Sequence, residues 1–233
     1  MKFAGIFFPQ RCCGCDCLTG ADYPLCKSCS ELFLHPSNKT SRCAVCFLSQ
    51  ENCICRKHQY YDKICVPFYY EGCTRKTIFR LKFRSRPDIA RNFAVLLYSA
   101  LIERKMTDDI DIITFIPMRK LSKFARGYNQ AELIAKYLSE LSGIPYCGLI
   151  YKTQKTKNQH ALTKIERTGN LLGIFEPIKT NMHLIENKKI LITDDVLTTG
   201  STLNEAAKTL LIFGAQNVSA AVCAATKNSH KKH

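Results

Sequence analysis

Apolar positions along this chain fall into two periods. Short β-branched runs, Asp111-Ile112-Ile113-Thr114-Phe115-Ile116-Pro117 and Ile190-Leu191-Ile192, read as strands buried on both faces. Stripes at helical spacing follow or precede them. After Pro87 the stripe is Ile89, Phe93, Leu96, Leu97 and Leu101, and after Arg126-Gly127-Tyr128-Asn129-Gln130 it is Leu133, Ile134, Tyr137, Leu138 and Leu141, ended by Gly143 and Pro145. A third stripe, Leu203, Ala206, Ala207, Leu210 and Leu211, is closed by Gly214. A β-like run at Ile64-Cys65-Val66-Pro67-Phe68-Tyr69-Tyr70 leads to Gly72 and a helical pattern with Ile78, Leu81 and Phe83 as its apolar positions. Leu171-Leu172-Gly173-Ile174-Phe175 reads as a turn into a strand, and Asn217 to Val222 as the last strand. Asp111–Pro117 is expected to be the first strand of a parallel sheet, and the loop leaving it carries Arg119, Lys120, Lys123 and Arg126. Strands alternating with helices predict an α/β domain.

Chemistry concentrates in Ile190-Leu191-Ile192-Thr193-Asp194-Asp195-Val196-Leu197-Thr198-Thr199-Gly200-Ser201-Thr202. Two carboxylates stand at the strand's end, a hydroxyl-rich turn follows, and Thr202-Leu203-Asn204-Glu205 forms a capping box that opens a helix. Unpaired N–H groups at a helix N-terminus, with Thr and Ser hydroxyls and a glycine beside them, make a phosphate cradle from Leu197 to Thr202. Asp194 and Asp195 accept hydrogen bonds from vicinal hydroxyls and coordinate Mg2+ through oxygen. A sugar phosphate suits both parts. The plainer alternative is that Thr202 and Glu205 only cap the helix and the acids are a solvated strand end.

These thirteen residues resemble the signature of type I phosphoribosyltransferases. That resemblance implies that Asp194 and Asp195 hold the ribose hydroxyls of phosphoribosyl pyrophosphate (PRPP), while the Thr-Thr-Gly-Ser-Thr loop holds its 5′-phosphate. With the Cys-rich start, Leu81-Lys82-Phe83-Arg84, Arg126-Gly127-Tyr128-Asn129-Gln130-Ala131-Glu132-Leu133 and Gln159 through Asn170, the chain is similar along nearly its whole length to the competence protein F family (ComF, ComFC). Members combine a zinc finger with a phosphoribosyltransferase-like domain and serve bacterial DNA uptake. The resemblance implies a type I phosphoribosyltransferase-like parallel sheet behind a small N-terminal Cys-rich zinc-binding domain. It sets the loop after residue 117 beside the Asp194 loop, with Arg119 and Lys120 on pyrophosphate. It also implies a mobile loop at Lys152 to Arg167, a polar and basic segment that reads either as an active-site lid or as a surface loop between a strand and a helix. The expected domains are residues 1–60 (Cys-rich), 61–226 (phosphoribosyltransferase-like, with a basic helical connector at about 72–104) and a disordered tail, 227–233.

Charge changes the picture. Thirty-four Lys and Arg against 19 Asp and Glu give +15, which draws the chain to polyanions without choosing among nucleic acid, phosphates and acidic membranes. The opening Met1 to Pro9 is too short in its apolar part for a secretory signal, and no apolar run reaches the roughly 20 residues of a membrane span. The expectation is a cytoplasmic protein with reduced thiols, so its 14 cysteines point to metal rather than disulfides.

Ten of these cysteines lie between residues 12 and 55. Cys12-x-x-Cys15, Cys26-x-x-Cys29, Cys43-x-x-Cys46 and Cys53-x-Cys55 give pairs that aim two sulfurs at one ion, so one or two tetrahedral Zn2+ sites are expected. The simplest pairing is sequential, 12/15 with 26/29 and 43/46 with 53/55; a crossed pairing stays open, and Cys13 and Cys17 compete for the first site. The metal would supply most of the folding free energy of so short a segment. Cys65, Cys73, Cys147 and Cys223 stand alone and read as buried hydrophobes.

The connector bears Arg80, Lys82, Arg84 and Arg86 around Phe79 and Phe83. With Arg126, Lys155 and Lys157 these cations suit a single-stranded DNA backbone, with the rings free for base stacking. The alternative has both rings facing the core. Three functional readings remain: a DNA-uptake protein binding PRPP with Mg2+ and handling incoming single-stranded DNA, an active phosphoribosyltransferase with a base or amine acceptor, and a zinc-bearing adaptor without a ligand site. Expected partners of the first are the uptake machinery, such as a competence helicase or recombination mediator, with peripheral membrane contact at most.

Overall fold

The computed structural model of the chain describes residues 11–19, 23–33, 59–153 and 174–226. Five parallel strands form its central sheet. β1 (Ile64–Cys65) and β2 (Phe68–Tyr69) both pair with β7 (Asn217–Ala225), β7 pairs with β6 (Lys189–Leu197), and β6 with β3 (Ile112–Phe115). The run expected from Ile64 to Tyr70 is thus split, because Pro67 has no N–H for the ladder and confines this segment to the edge. β3 is consequently not the sheet's first strand in chain order.

Both faces of the sheet are covered. On one face Cys65, Phe68, Ile113, Leu191, Ala221 and Cys223 share a core with α2 (Gly72–Phe83), α3 (Asp88–Glu103) and α5 (Gln130–Ser142). On the other, Ile64, Ile112, Ile190, Ile192, Val218 and Val222 meet α6 (Ser201–Ile212) and an antiparallel pair, β4 (Ile150–Lys152) with β5 (Phe175–Pro177). Alternate residues of one strand feed opposite cores, which is why these strands read as unbroken apolar runs.

Helical stripes fall where the periodicity puts them. Ile89, Phe93, Leu96, Leu97 and Leu101 of α3 are buried. In α5, Ile134 and Leu138 are buried and Leu133 and Tyr137 partly so, while Leu141 stays exposed. Asn129 caps α5, its side chain accepting the Ala131 N–H at 3.1 Å, and Gly143 at φ 75° closes it in the left-handed conformation that glycine takes without strain.

Two stretches differ from expectation. The segment expected as a loop after β3 contains a short helix, α4 (Lys120–Arg126), ended by Gly127 at φ 80°; from 120 to 126 it has no Gly, Pro or β-branched residue to oppose a helix. In α2, Ile78 and Leu81 are fully buried but Phe79 and Phe83 are 48% and 58% exposed. The two rings pack on each other, 5.0 Å between centroids, rather than entering the core.

The described residues of the Cys-rich start share the core of the sheet domain. Cys13, Leu25, Cys29 and Phe33, the last just after α1 (Lys27–Leu32), join the same buried cluster as Phe68, Ile78, Leu81 and Phe93. Phe33 meets Phe68 edge-on at 5.1 Å. Among the described residues no helix is long and apolar enough to cross a membrane.

Candidate functional site

β6 continues through the acid pair to Leu197, so Asp194 and Asp195 lie within the strand's last four residues rather than beyond its end. The Asp195 N–H donates to the Asp194 carboxylate at 2.8 Å. Burial first, and the neighbouring Asp195 carboxylate second, push the Asp194 carboxyl up to about 7, against the lowering pull of that hydrogen bond, Lys82 and Lys152. Lys82 Nζ stands 2.6 Å from Asp195 Oδ1.

Leu197 is buried, and its carbonyl accepts the Thr226 N–H at 2.9 Å. Thr198 and Thr199 are exposed, and Gly200 takes φ 76° as the residue before α6. Here the expected capping box gives way. The helix begins two residues early, at Ser201, no side chain of Gly200 can cap it, and Asn204 accepts the Tyr60 N–H at 2.9 Å. Thr199 and Ser201 join hydroxyls at 2.9 Å across the turn. The opening of α6 therefore offers backbone N–H groups and hydroxyls, Thr202 among its first residues, one turn from the acids.

Cations surround this strand end from separate elements. Arg119 lies exposed at the start of α4; Lys120 opens that helix, its side chain outside the described residues. Lys152 of β4 is held below its usual value, first by burial and then by the Arg119 charge, with Asp194 opposing. Neither Lys152 nor Lys82 was marked for this site by its local sequence; Lys82 was expected in a DNA groove, 113 residues from Asp195 in sequence.

The role of Arg126-Gly127-Tyr128-Asn129-Gln130 emerges from its contacts. Tyr128 Oη donates to the Leu81 carbonyl at 2.5 Å, and the Arg126 guanidinium sits 4.9 Å from the Phe83 ring centre while donating to Gln130 at 3.0 Å. Asn129 also donates to the Ile116 carbonyl at 3.0 Å. The segment fastens the last turn of α2, and with it Lys82, to the strand ends.

The remaining groove candidates divide. Arg80 and Arg86 grip Asp16 at 3.0 and 2.9 Å, and Arg80 also donates to the Gly14 carbonyl at 3.0 Å. Hydrogen bonds from Arg86 first, then the Arg80 charge, hold the Asp16 carboxyl below its usual range despite partial burial. Arg84 is exposed. Lys155 and Lys157, with the expected lid from residue 154 to 167, lie outside the described residues; β4, which ends just before them, pairs antiparallel with β5.

At the N-terminal segment the Sγ atoms of Cys12, Cys15, Cys17 and Cys26 all lie within 4.8 Å of one another. Cys15 and Cys26 are 3.7 Å apart, close to the roughly 3.8 Å edge of a tetrahedron with 2.3 Å Zn–S bonds. The Cys26 N–H points at the Cys12 sulfur at 3.3 Å. Burial opposes ionisation of Cys12, but the N–H groups of Cys26, Cys15 and Gly14 outweigh it and hold its pKa below the usual value. Cys29 adjoins this cluster; burial, then the thiols of Cys15, Cys12 and Cys26, push its pKa up. Cys13 is buried in the core. The cluster can hold a metal ion, with five thiols for four positions. Cys43, Cys46, Cys53 and Cys55 lie outside the described residues. Of the isolated cysteines, Cys65 and Cys223 are fully buried, and Cys73 and Cys147 partly.

The family model described as phosphoribosyl transferase domain matches residues 125–233. Competence protein F of Haemophilus influenzae is 32% identical over 171 residues, covering 72% of this chain and 74% of that protein. DNA utilization protein YhgH of Escherichia coli K12 is 27% identical over 212 residues, 89% of this chain and 86% of that one. Among solved structures, glutamine phosphoribosylpyrophosphate amidotransferase from B. subtilis is 18% identical with a TM-score of 0.41, over 61% of this chain and 30% of that enzyme. A thiol cluster ahead of a type I phosphoribosyltransferase-like parallel sheet, with a relative 32% identical across 74% of its length, means that the chain belongs to the competence protein F family.

Proposed function

We propose that this protein serves DNA uptake, binding PRPP with Mg2+ at the end of β6 and handling incoming single-stranded DNA in the cytoplasm. The observation that carries the first part is the acid pair one turn from a helix start that no Gly200 side chain caps. Asp194 and Asp195 take the ribose hydroxyls and share the metal; residues 197–202 take the 5′-phosphate; Arg119, Lys120 and Lys152 face the pyrophosphate. The names of the relatives, competence protein and DNA utilization protein, support the uptake role, and a helicase or recombination mediator of that machinery is the fitting partner. Zn2+ is the ion that four thiolates at these separations suit.

Calorimetry tests the ligand. Wild-type protein titrated with PRPP and Mg2+ binds, and Asp194→Asn/Asp195→Asn loses at least tenfold in affinity. Equal affinities would remove the acid pair from the site.

A further inference from the structure

Lys82 belongs by sequence to a basic surface helix, yet its ammonium leaves that surface for the acid pair. Nζ is 2.6 Å from Asp195 Oδ1, with 21% of the lysine side chain and 13% of the aspartate exposed. Its backbone cannot drift away. The Leu81 carbonyl accepts the Tyr128 hydroxyl, the Phe83 ring carries the Arg126 guanidinium, and two residues before Lys82, Arg80 is tied to Gly14 and Asp16. Freedom remains only in the four-carbon stem.

The proposed ligand needs what Lys82 occupies. A Mg2+-bound sugar takes carboxylate oxygens for its hydroxyls and metal, so the ammonium must give up Asp195. An ammonium released into a partly closed site seeks another anion, because an unpaired charge there is costly. The start of α6 holds one phosphate; the ligand's second anionic group falls to side-chain cations, and a released Lys82 ammonium would join Arg119, Lys120 and Lys152 there.

We infer that Lys82 exchanges partners on binding, passing from Asp195 in the free protein to the diphosphate of the sugar ligand, and so selects a 1-diphosphate over the plain 5-phosphate. This rests on the sugar-phosphate reading above. Lys82 is then a binding residue held in place by Tyr128 and Arg126, which gives the Leu81-Lys82-Phe83-Arg84 stretch a task at the strand ends.

Calorimetry at saturating Mg2+ with two ligands separates the readings. For Lys82→Met, PRPP affinity falls tenfold or more while ribose 5-phosphate affinity changes by less than threefold. Equal losses for both ligands, or none for either, overturn the exchange and leave the acid-pair assignment standing. A wild type that binds neither ligand overturns the sugar-phosphate reading and the exchange with it. Pulse labelling of wild-type lysines with an amine reagent, read by mass spectrometry, needs no variant. Ribose 5-phosphate with Mg2+ raises labelling of Lys82 and PRPP with Mg2+ keeps it low; identical labelling in both states counts against the exchange.

Discussion

Asp194 carries an unusual burden for one carboxyl. Its pKa rises from 3.8 to about 7 through burial and the adjoining Asp195. An acid whose folded pKa is raised binds its proton more tightly in the native state, so its stabilising contribution is full below about pH 4 and is lost as pH climbs through 7. Asp194→Asn keeps the oxygen that accepts the Asp195 N–H and removes the charge. The variant should melt a few degrees higher than wild type at pH 8, with a flatter loss of Tm between pH 4 and 7. Thermal melts across that range check it, and parallel profiles for the two proteins would refute it. Gly14 is constrained differently: a methyl group there would lie 2.7 Å from Cys29 Sγ, so only glycine lets that thiol approach the loop. The spacing Cys12-x-x-Cys15 announced a metal turn, but it could not rank Cys17 against Cys29, because which sulfur closes a tetrahedron depends on how α1 sits rather than on sequence distance.

At the scale of elements, α2 joins what local pattern keeps apart. Arg80 holds the Cys-rich turn, Lys82 holds the acid pair, and Phe79 with Phe83 stays on the surface. Strands β3 and β6 and the stripes of α3 and α5 were legible because burial on two faces or one leaves a period in the sequence. The rotation of α2 was not: its apolar residues are too few for the pattern to say which of them face inward. The start of α6 was misread for a related reason. Thr202 and Glu205 have the spacing of a capping box, but Gly200 at φ 76° opens the helix earlier. Because the thiol segment shares its core with α2 and α3, stripping metal with a chelator should lower the Tm of the whole protein by roughly 10 °C, at about 2–4 °C per kcal/mol. Calorimetric scans of treated and untreated protein check this. A separate low transition, with the main one unmoved, would show the segment folding on its own.

Across the whole molecule, the +15 surplus is distributed unevenly. Lys82, Arg80 and Arg86 are engaged with carboxylates, whereas Arg84 is exposed and Arg126 lies over the open Phe83 ring. This leaves an aromatic and basic face beside the proposed sugar-phosphate site, suited to stacked bases and a tracked backbone. Single-stranded DNA should bind with an affinity that falls as salt rises. Phe79→Ala/Phe83→Ala should weaken it tenfold or more while the salt slope persists, because the charges remain. Fluorescence anisotropy over a salt series reads both quantities; a variant that binds like wild type would move the DNA elsewhere on the protein.

The edge-on meeting of Phe33 with Phe68 has a practical consequence. A chain cut before residue 59 would take the Phe33 ring from Phe68 and Phe93, leave Arg80 without its carboxylate and leave Arg86 with Asp88 alone. Such a fragment should come out of cells as aggregate, and any activity assay on the catalytic-looking half alone would then report on a damaged protein.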